Sequence, residues 1–455
     1  MKQKINKYLV LIALAIMMAG AGGCEKYLEA KPDKKLAVPG TLEDLQALID
    51  FSPVSLYDPG SDEVSADNYY LNTASYHALP LDGDRRMYTW EKDDIFQTYP
   101  NDWSEIYKRV YYMNTVLEAL QTIERTAFNA VTYDYVKGQA LLLRGRSFLS
   151  LAIIWTKVYD EQTAAAEPGV PLKVNADFTA TSVRASLKET FDLLLSDLRA
   201  SVPLLPVKPV HVTRCSRPGA YGYLSRAYLY MRNYAEAGKY ADSCLQLQSI
   251  LLDYNQLNAA AAYPIPLFNS EEIMFSSAAP VQLIPIEAII DSVLYASFEN
   301  NDLRKQIFFK NNGNGTYIFK GSYNNSWGDQ FTGIAADEIY LTRAECYART
   351  GNIQKAMDDL NTLMVKRWKA GLFVSFTAGN VADALALVLI ERRKELMFRG
   401  TRFMDIKRLN KEGAGITLKR IVDGKTYLLP PNDLRYALPI PEVVISVSGM
   451  QQNPR

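Results

Sequence analysis

Three stretches of the chain set a leucine, a small residue and an aromatic residue on one helical face. They are Leu142 to Phe148, Leu224 to Tyr230 and Leu341 to Tyr347, each reading Leu, any, Arg, small, any, any, aromatic. At 100° per residue the leucine, the small residue (Gly145, Ala227 or Ala344) and the aromatic share a face, and the arginine lies beside it. A small residue in mid-face admits a second helix closely, with bulk on both sides to fill the space. Such a pattern on separate helices predicts stacked helical hairpins.

The periodicity elsewhere adds further elements. A short helix is expected over 41–51, with Thr41 as N-cap and Leu42, Leu45, Leu48 and Ile49 as its apolar face. Longer helices follow over 102–120, 130–159 and 186–200, with an extended connector at Gly169 to Leu172. Two hairpins pair 221–232 with 235–247, and 339–349 with 353–366. The second breaks at Thr350-Gly351-Asn352, where glycine supplies a left-handed cap residue. The last helix is read from Val381 to Phe398, and the end as irregular. Two long stretches carry no period. Residues 52–102 are rich in prolines, glycines and aromatics, and residues 250–335 include the turn run Asn311-Asn312-Gly313-Asn314-Gly315. Stretches this long inside a compact domain are functional or disordered, and their aromatics argue against disorder. The expected fold class is mainly α, with tetratricopeptide-like helical hairpins carrying long irregular insertions at about 52–102 and 250–335.

The first residues change the picture of where the chain works. Lys2, Lys4 and Lys7 precede an apolar run from Tyr8 to Met18, and small residues then lead to Cys24. That is a secretory signal over 1–23, too short for a membrane span, ending as a bacterial lipobox does. Cys24 is the expected lipidation site, residues 24–40 a tether, and 41–455 a single domain. A formal net charge of zero gives no reason to expect nucleic acid or an anionic membrane surface as partner. Cys215, Cys244 and Cys346 are odd in number and widely spaced, so they form neither a disulfide framework nor a zinc site and read as small buried side chains.

A late signature then becomes legible. Ile390-Glu391-Arg392-Arg393-Lys394-Glu395-Leu396-Met397-Phe398-Arg399-Gly400-Thr401-Arg402-Phe403-Met404-Asp405-Ile406-Lys407-Arg408 resembles that of the SusD/RagB family. So do Leu438-Pro439-Ile440-Pro441-Glu442 and Gln452-Asn453-Pro454. Tyr27-Leu28-Glu29, Asn114, Arg144 to Phe148, Gly169 to Leu172, Asp302-Leu303-Arg304 and Asp337 to Glu345 match family positions in family order. The resemblance implies a lipoprotein of the outer membrane, facing the cell exterior. It would capture a glycan, or in some members a peptide, and act as a lid on a SusC-like TonB-dependent transporter. It also implies a frame of four tetratricopeptide-like hairpins.

Sugar binding calls for flat apolar faces against the C–H side of a pyranose and planar polar groups for its hydroxyls. The first insertion offers Asn68, Tyr69, Tyr70, Arg85 and Trp90, and the second Tyr323, Asn325 and Trp327. Trp90 and Trp327 are the leading candidates, then Tyr69 and Tyr70, set against the plainer reading that such aromatics pack the core. Glu391 and Glu395 share a helix face, as a glycosidase pair would, but neighbouring arginines lower carboxylate pKa values where a general acid needs the reverse. They read as an ion-pair network fixing this helix. His77 and His211 stand in unrelated contexts, and Asp82-Gly83-Asp84 reads as a turn rather than a calcium site. No phosphate loop, nucleophile elbow or metal spacing occurs. No catalytic residue, metal or cofactor is expected. The alternatives to a nutrient binder are a helical-repeat scaffold without small-molecule ligand and, below it, a surface glycosidase.

Overall fold

The computed structural model describes residues 39–177, 179–280, 288–326 and 328–455. The expected leader, Cys24, nearly all of the tether and Trp327 lie outside the described residues. Leu42–Arg455 forms one compact unit. Among the described residues its helices of eight residues or more are α1 (Leu42–Ile49), α2 (Asp102–Ala119), α3 (Ala130–Trp155), α4 (Leu187–Ser201), α5 (Arg217–Tyr230), α6 (Tyr234–Leu247), α7 (Ala336–Arg349), α8 (Ile353–Met364), α9 (Val381–Glu395) and α10 (Arg402–Lys411). None is long and apolar enough to cross a membrane.

The architecture is mainly helical and built of hairpins. Helix α2 packs on α3, α3 on α4, α5 on α6, α6 on α7, and α7 on both α8 and α9. Side chains fix where the helices begin. Asn101 and Ser104 close a capping box on α2, and Ser186 and Glu189 close one on α4. Asn233 and Asn352 cap α6 and α8. Gly351 ends α7 at φ +83°, as the break between the two helices requires.

The small residues of the repeated pattern sit where helices touch. A Cβ at Gly145 would lie 3.0 Å from Leu198 Cγ on α4, so bulk there would force α3 and α4 apart. Ala227 and Ala344 are fully buried. The arginine beside each of them ties its helix to a neighbour. Arg144 donates to Asp197 on α4 at 2.7 and 2.8 Å. Arg226 donates to Glu338 on α7 at 2.8 and 2.7 Å. Arg343 bridges Asp359 on α8 and Asp242 on α6.

Two expectations needed correction. The stretch 52–102 is built from short helices (Ser52–Ser55, Ser61–Val64, Thr73–Ala78 and Asp82–Tyr88), so Asp82-Gly83-Asp84 opens a helix rather than forming a turn. And α9 is not the last helix. It stops at Glu395 and is followed by α10 and by a hairpin of Leu418–Val422 with Lys425–Leu429. That hairpin turns through Asp423 and Gly424, both at positive φ (53° and 74°), as the tightest strand turns require.

Candidate functional site

The two irregular insertions meet. The backbone N–H of Asp58 donates to the Ala278 carbonyl at 2.8 Å, and that of Ala278 to the Leu56 carbonyl at 2.9 Å. Ala278–Pro280 pairs antiparallel with Asp329–Phe331, and Tyr69–Tyr70 with Ile289–Ile290. Beneath the junction, the Asp58 carboxylate receives Arg146 at 3.0 Å, Arg109 at 3.3 Å, Ser277 Oγ at 2.8 Å and Thr332 Oγ1 at 2.6 Å. Burial alone would raise its pKa; the two guanidinium groups and the hydroxyls outweigh this and hold it below the usual carboxylate value. One buried carboxylate thus fastens the first insertion, α2, α3 and the second insertion together.

Beside this junction lies a cavity of about 420 Å³. Its walls come from Tyr57, from the helix Asp82–Tyr88, from Ile95 to Gln97, from the start of α2 and from Pro280. Asp102, in the first turn of α2, is committed to the protein: it accepts from Tyr57 Oη at 2.6 Å and from the Gly60 and Ser61 N–H groups at 3.0 and 2.9 Å. Glu105, one turn on, accepts from Lys108 at 3.3 Å. Asp84 differs, because its carboxylate takes no hydrogen bond or ion pair from the described residues. Partial burial, with the Asp102 charge adding to it, pushes its pKa up to about 6. Gln97 is exposed, and the half-buried ring of Phe96 packs against Trp155 at 5.7 Å. The cavity therefore has in its lining an aromatic ring, and an amide and a carboxylate that take no side-chain hydrogen bond from the described residues.

None of the described residues singled out in the sequence as ligand contacts lines it. Trp90 is buried, donating Nε1–H to the Ser65 carbonyl at 3.1 Å within a small core of Ala66, Phe403, Leu418 and Leu429. Tyr69 is buried, with its hydroxyl on the Val64 carbonyl at 3.2 Å. Asn68 donates to the buried Glu63 at 2.8 Å. Tyr323 donates to Asp337 at 3.1 Å beneath the Arg399 guanidinium. Arg85 spends its guanidinium on the Leu79 carbonyl and Asp82. Tyr70 and Asn325 are exposed, Tyr70 opposite Ile289 and Asn325 in the bend before Asp329–Phe331. For Tyr69 and Trp90 the inward placement goes with Arg420. It reaches from the C-terminal hairpin to the Val64, Ala66 and Tyr69 carbonyls, and its guanidinium lies 3.9 Å from the Tyr88 ring centre and 5.2 Å from that of Trp90. The aromatics of 62–90 solvate this cation. The cavity residues missed, Tyr57, Asp84, Phe96 and Gln97, carried the same aromatic-and-polar signal within the same insertion.

The acids of α9 form a buried ion-pair network. Glu391 and Glu395 both receive Arg304, the latter at 3.0 Å, and Glu395 also receives Arg367 at 2.6 Å. Arg367 continues to Glu272 at 2.7 Å, and Arg392 meets Asp405 at 2.8 Å. Although burial would raise it, the pKa of Glu391 is held low by Arg304 and Lys394. Among the described residues no group of three or more His, Cys, Asp and Glu side chains is placed to hold a metal. Cys215, Cys244 and Cys346 are free and buried.

Comparison with known proteins agrees with this architecture. Residues 26–229 match a family model described as starch-binding, associating with the outer membrane, and residues 305–455 match that of the SusD family. The chain belongs to the SusD/RagB family. Solved SusD structures share the fold. A SusD superfamily protein of Bacteroides thetaiotaomicron superposes with a TM-score of 0.72 at 21% identity, over 91% of this chain and 100% of that one. A SusD superfamily protein of Bacteroides fragilis gives 0.69 at 18% identity, over 91% and 99%. A SusD-like carbohydrate binding protein of Bacteroides vulgatus gives 0.63 at 21%, over 88% and 94%. No curated protein matches. The SusD relationship accounts for the helical hairpins and for the late signature, which lies in α9 and α10.

Proposed function

We propose that this SusD-family protein is a lipid-anchored outer-membrane protein facing the cell exterior, which binds a glycan and delivers it to a SusC-like TonB-dependent transporter. One observation carries the binding reading. A cavity built by the first insertion and the start of α2, with Pro280 of the second insertion at its wall, offers an aromatic ring with an amide and a carboxylate that take no hydrogen bond from the described residues, the set that a sugar's C–H face and hydroxyls require. The anchor rests on the basic, apolar and small-residue run ending at Cys24. The proposed role is binding without turnover, since Glu391 and Glu395 are spent on Arg304 and Arg367 rather than poised as an acid and a base. Delivery needs only a ligand that favours a closed state of lid and transporter.

Retention on a glycan array tests the site. Phe96→Ala should lower retention about tenfold with a smaller fall in melting temperature than Trp90→Ala, which empties a packed core at a cost of about 3 to 5 kcal/mol. Equal retention by wild type and Phe96→Ala would move the site elsewhere. A reading frame for a barrel transporter beside this one on the chromosome separates the transport role from that of a scaffold, which needs none.

A further inference from the structure

The cavity between the insertions has a consistent sign. Its ionisable carboxyl groups are Asp84, Asp102 and Glu105, and no arginine, lysine or histidine lines it among the described residues. The undescribed residues 281–287, which follow the cavity residue Pro280, read Val-Gln-Leu-Ile-Pro-Ile-Glu and include no base. Of the cations near in sequence, Arg85 is turned to the Leu79 carbonyl and Asp82, Arg86 to the Asp93 carbonyl at 2.8 Å and Lys108 to Glu105, while Lys92 is exposed and does not line the cavity. Asp102 and Glu105 keep their places through bonds to the protein. Asp84 keeps none, faces Asp102, and has only the neighbouring Arg85 to offset that charge. Water satisfies a half-buried carboxylate that has no protein donor, and a ligand that displaces this water must bring donors of its own, either hydroxyl groups or an ammonium. A ligand carboxylate or sulfate would instead enter a low-dielectric cleft lined by like charge and find no base to receive it.

Building on the glycan-binding role proposed above, we infer that the ligand is an uncharged or amine-bearing oligosaccharide, and that Asp84 is the residue that admits hydroxyl or ammonium donors and turns acidic sugars away. The same array decides it at pH 7.5 and low ionic strength, with uncharged hexasaccharides, the glucosamine hexamer and hexagalacturonate as probes. The expected result is retention in the first two classes and measurable but much weaker retention of hexagalacturonate. Asp84→Asn should raise hexagalacturonate affinity about tenfold, since one like charge is removed at short range. Glu105→Gln should raise it in the same direction and serves if the first variant folds poorly. Retention of hexagalacturonate as tightly as of an uncharged hexasaccharide overturns the inference and leaves glycan binding standing. So does unaltered hexagalacturonate affinity in both variants. Retention of no oligosaccharide in any class overturns the glycan-binding role, and the selectivity falls with it.

Discussion

Lys407, in the middle of α10, is 3% exposed and has no carboxylate partner among the described residues. Its Nζ donates to the carbonyls of Ile153 and Thr156, the latter at 2.8 Å, and lies 5.5 Å from the centre of the Phe403 ring. Two acceptors match the two N–H bonds of a neutral amine, whereas an ammonium would bring a third. Burial pulls its pKa from the usual 10.5 down to about 7. The unfolded chain keeps this proton up to about pH 10.4, while the folded chain releases it near pH 7. Between those values the unfolded state binds more protons, so this group's contribution to stability rises with pH across that window and is flat below it. The whole span is about 5 kcal/mol, of which about 4 kcal/mol falls between pH 7 and pH 10. Lys407→Met keeps the volume and removes the titration. It also leaves two carbonyls without a donor, an offset of about 1 to 3 kcal/mol each that does not vary with pH. Urea unfolding of both proteins at pH 7, 8, 9 and 10 should show the wild type gaining about 4 kcal/mol relative to the variant. A difference constant to about 1 kcal/mol across that range would mean that Lys407 is charged in the folded protein, and would refute the reasoning.

Two further outcomes follow from features already described. Arg304 is fully buried among Asp302, Glu391 and Glu395, so Arg304→Met should cost about 3 to 5 kcal/mol by leaving the buried Asp302 without a cation and Glu391 and Glu395 with only Lys394 and Arg367. A loss below about 1 kcal/mol in chemical unfolding would show that the three carboxylates are neutralised by other means. Cys24→Ala should release the protein from the outer-membrane fraction, and its persistence there after fractionation would refute the lipid anchor.

The frame was legible because its signals are local. A small residue flanked by bulk at helical spacing marks a close helix contact from seven residues alone, and the Asn and Ser caps stand within three residues of what they cap. The partners of the repeated arginines were not legible. Arg144 and Asp197 are 53 residues apart, and Arg226 and Glu338 are 112 apart. Helix α10 escaped for a related reason. Arg402, Asp405, Lys407 and Arg408 give it the composition of a solvated segment, yet all four are buried, because Asp67, Glu345 and backbone carbonyls accept from Arg402, Arg408 and Lys407 while Arg392 donates to Asp405. Asp423-Gly424 did carry a hairpin signal that the irregular-end reading passed over. In the insertions, residue type located the region of the cavity but not its lining. Trp90 is turned inward against Arg420 and Phe96 rests on Trp155, and no pattern inside 52–102 reveals either partner.

Arg420 also sets an order of events. The cavity is encoded almost entirely in the first quarter of the chain, yet its residue Val64 is anchored by a guanidinium 356 positions later. During synthesis or export the helical hairpins can form one after another as they emerge, each from neighbours close in sequence. The cavity proposed to take the ligand gains this tie only when nearly the whole polypeptide has arrived. A product lacking its last tenth would lose Arg420 and its tie to Val64, so binding at the proposed site is expected to report on chain completion.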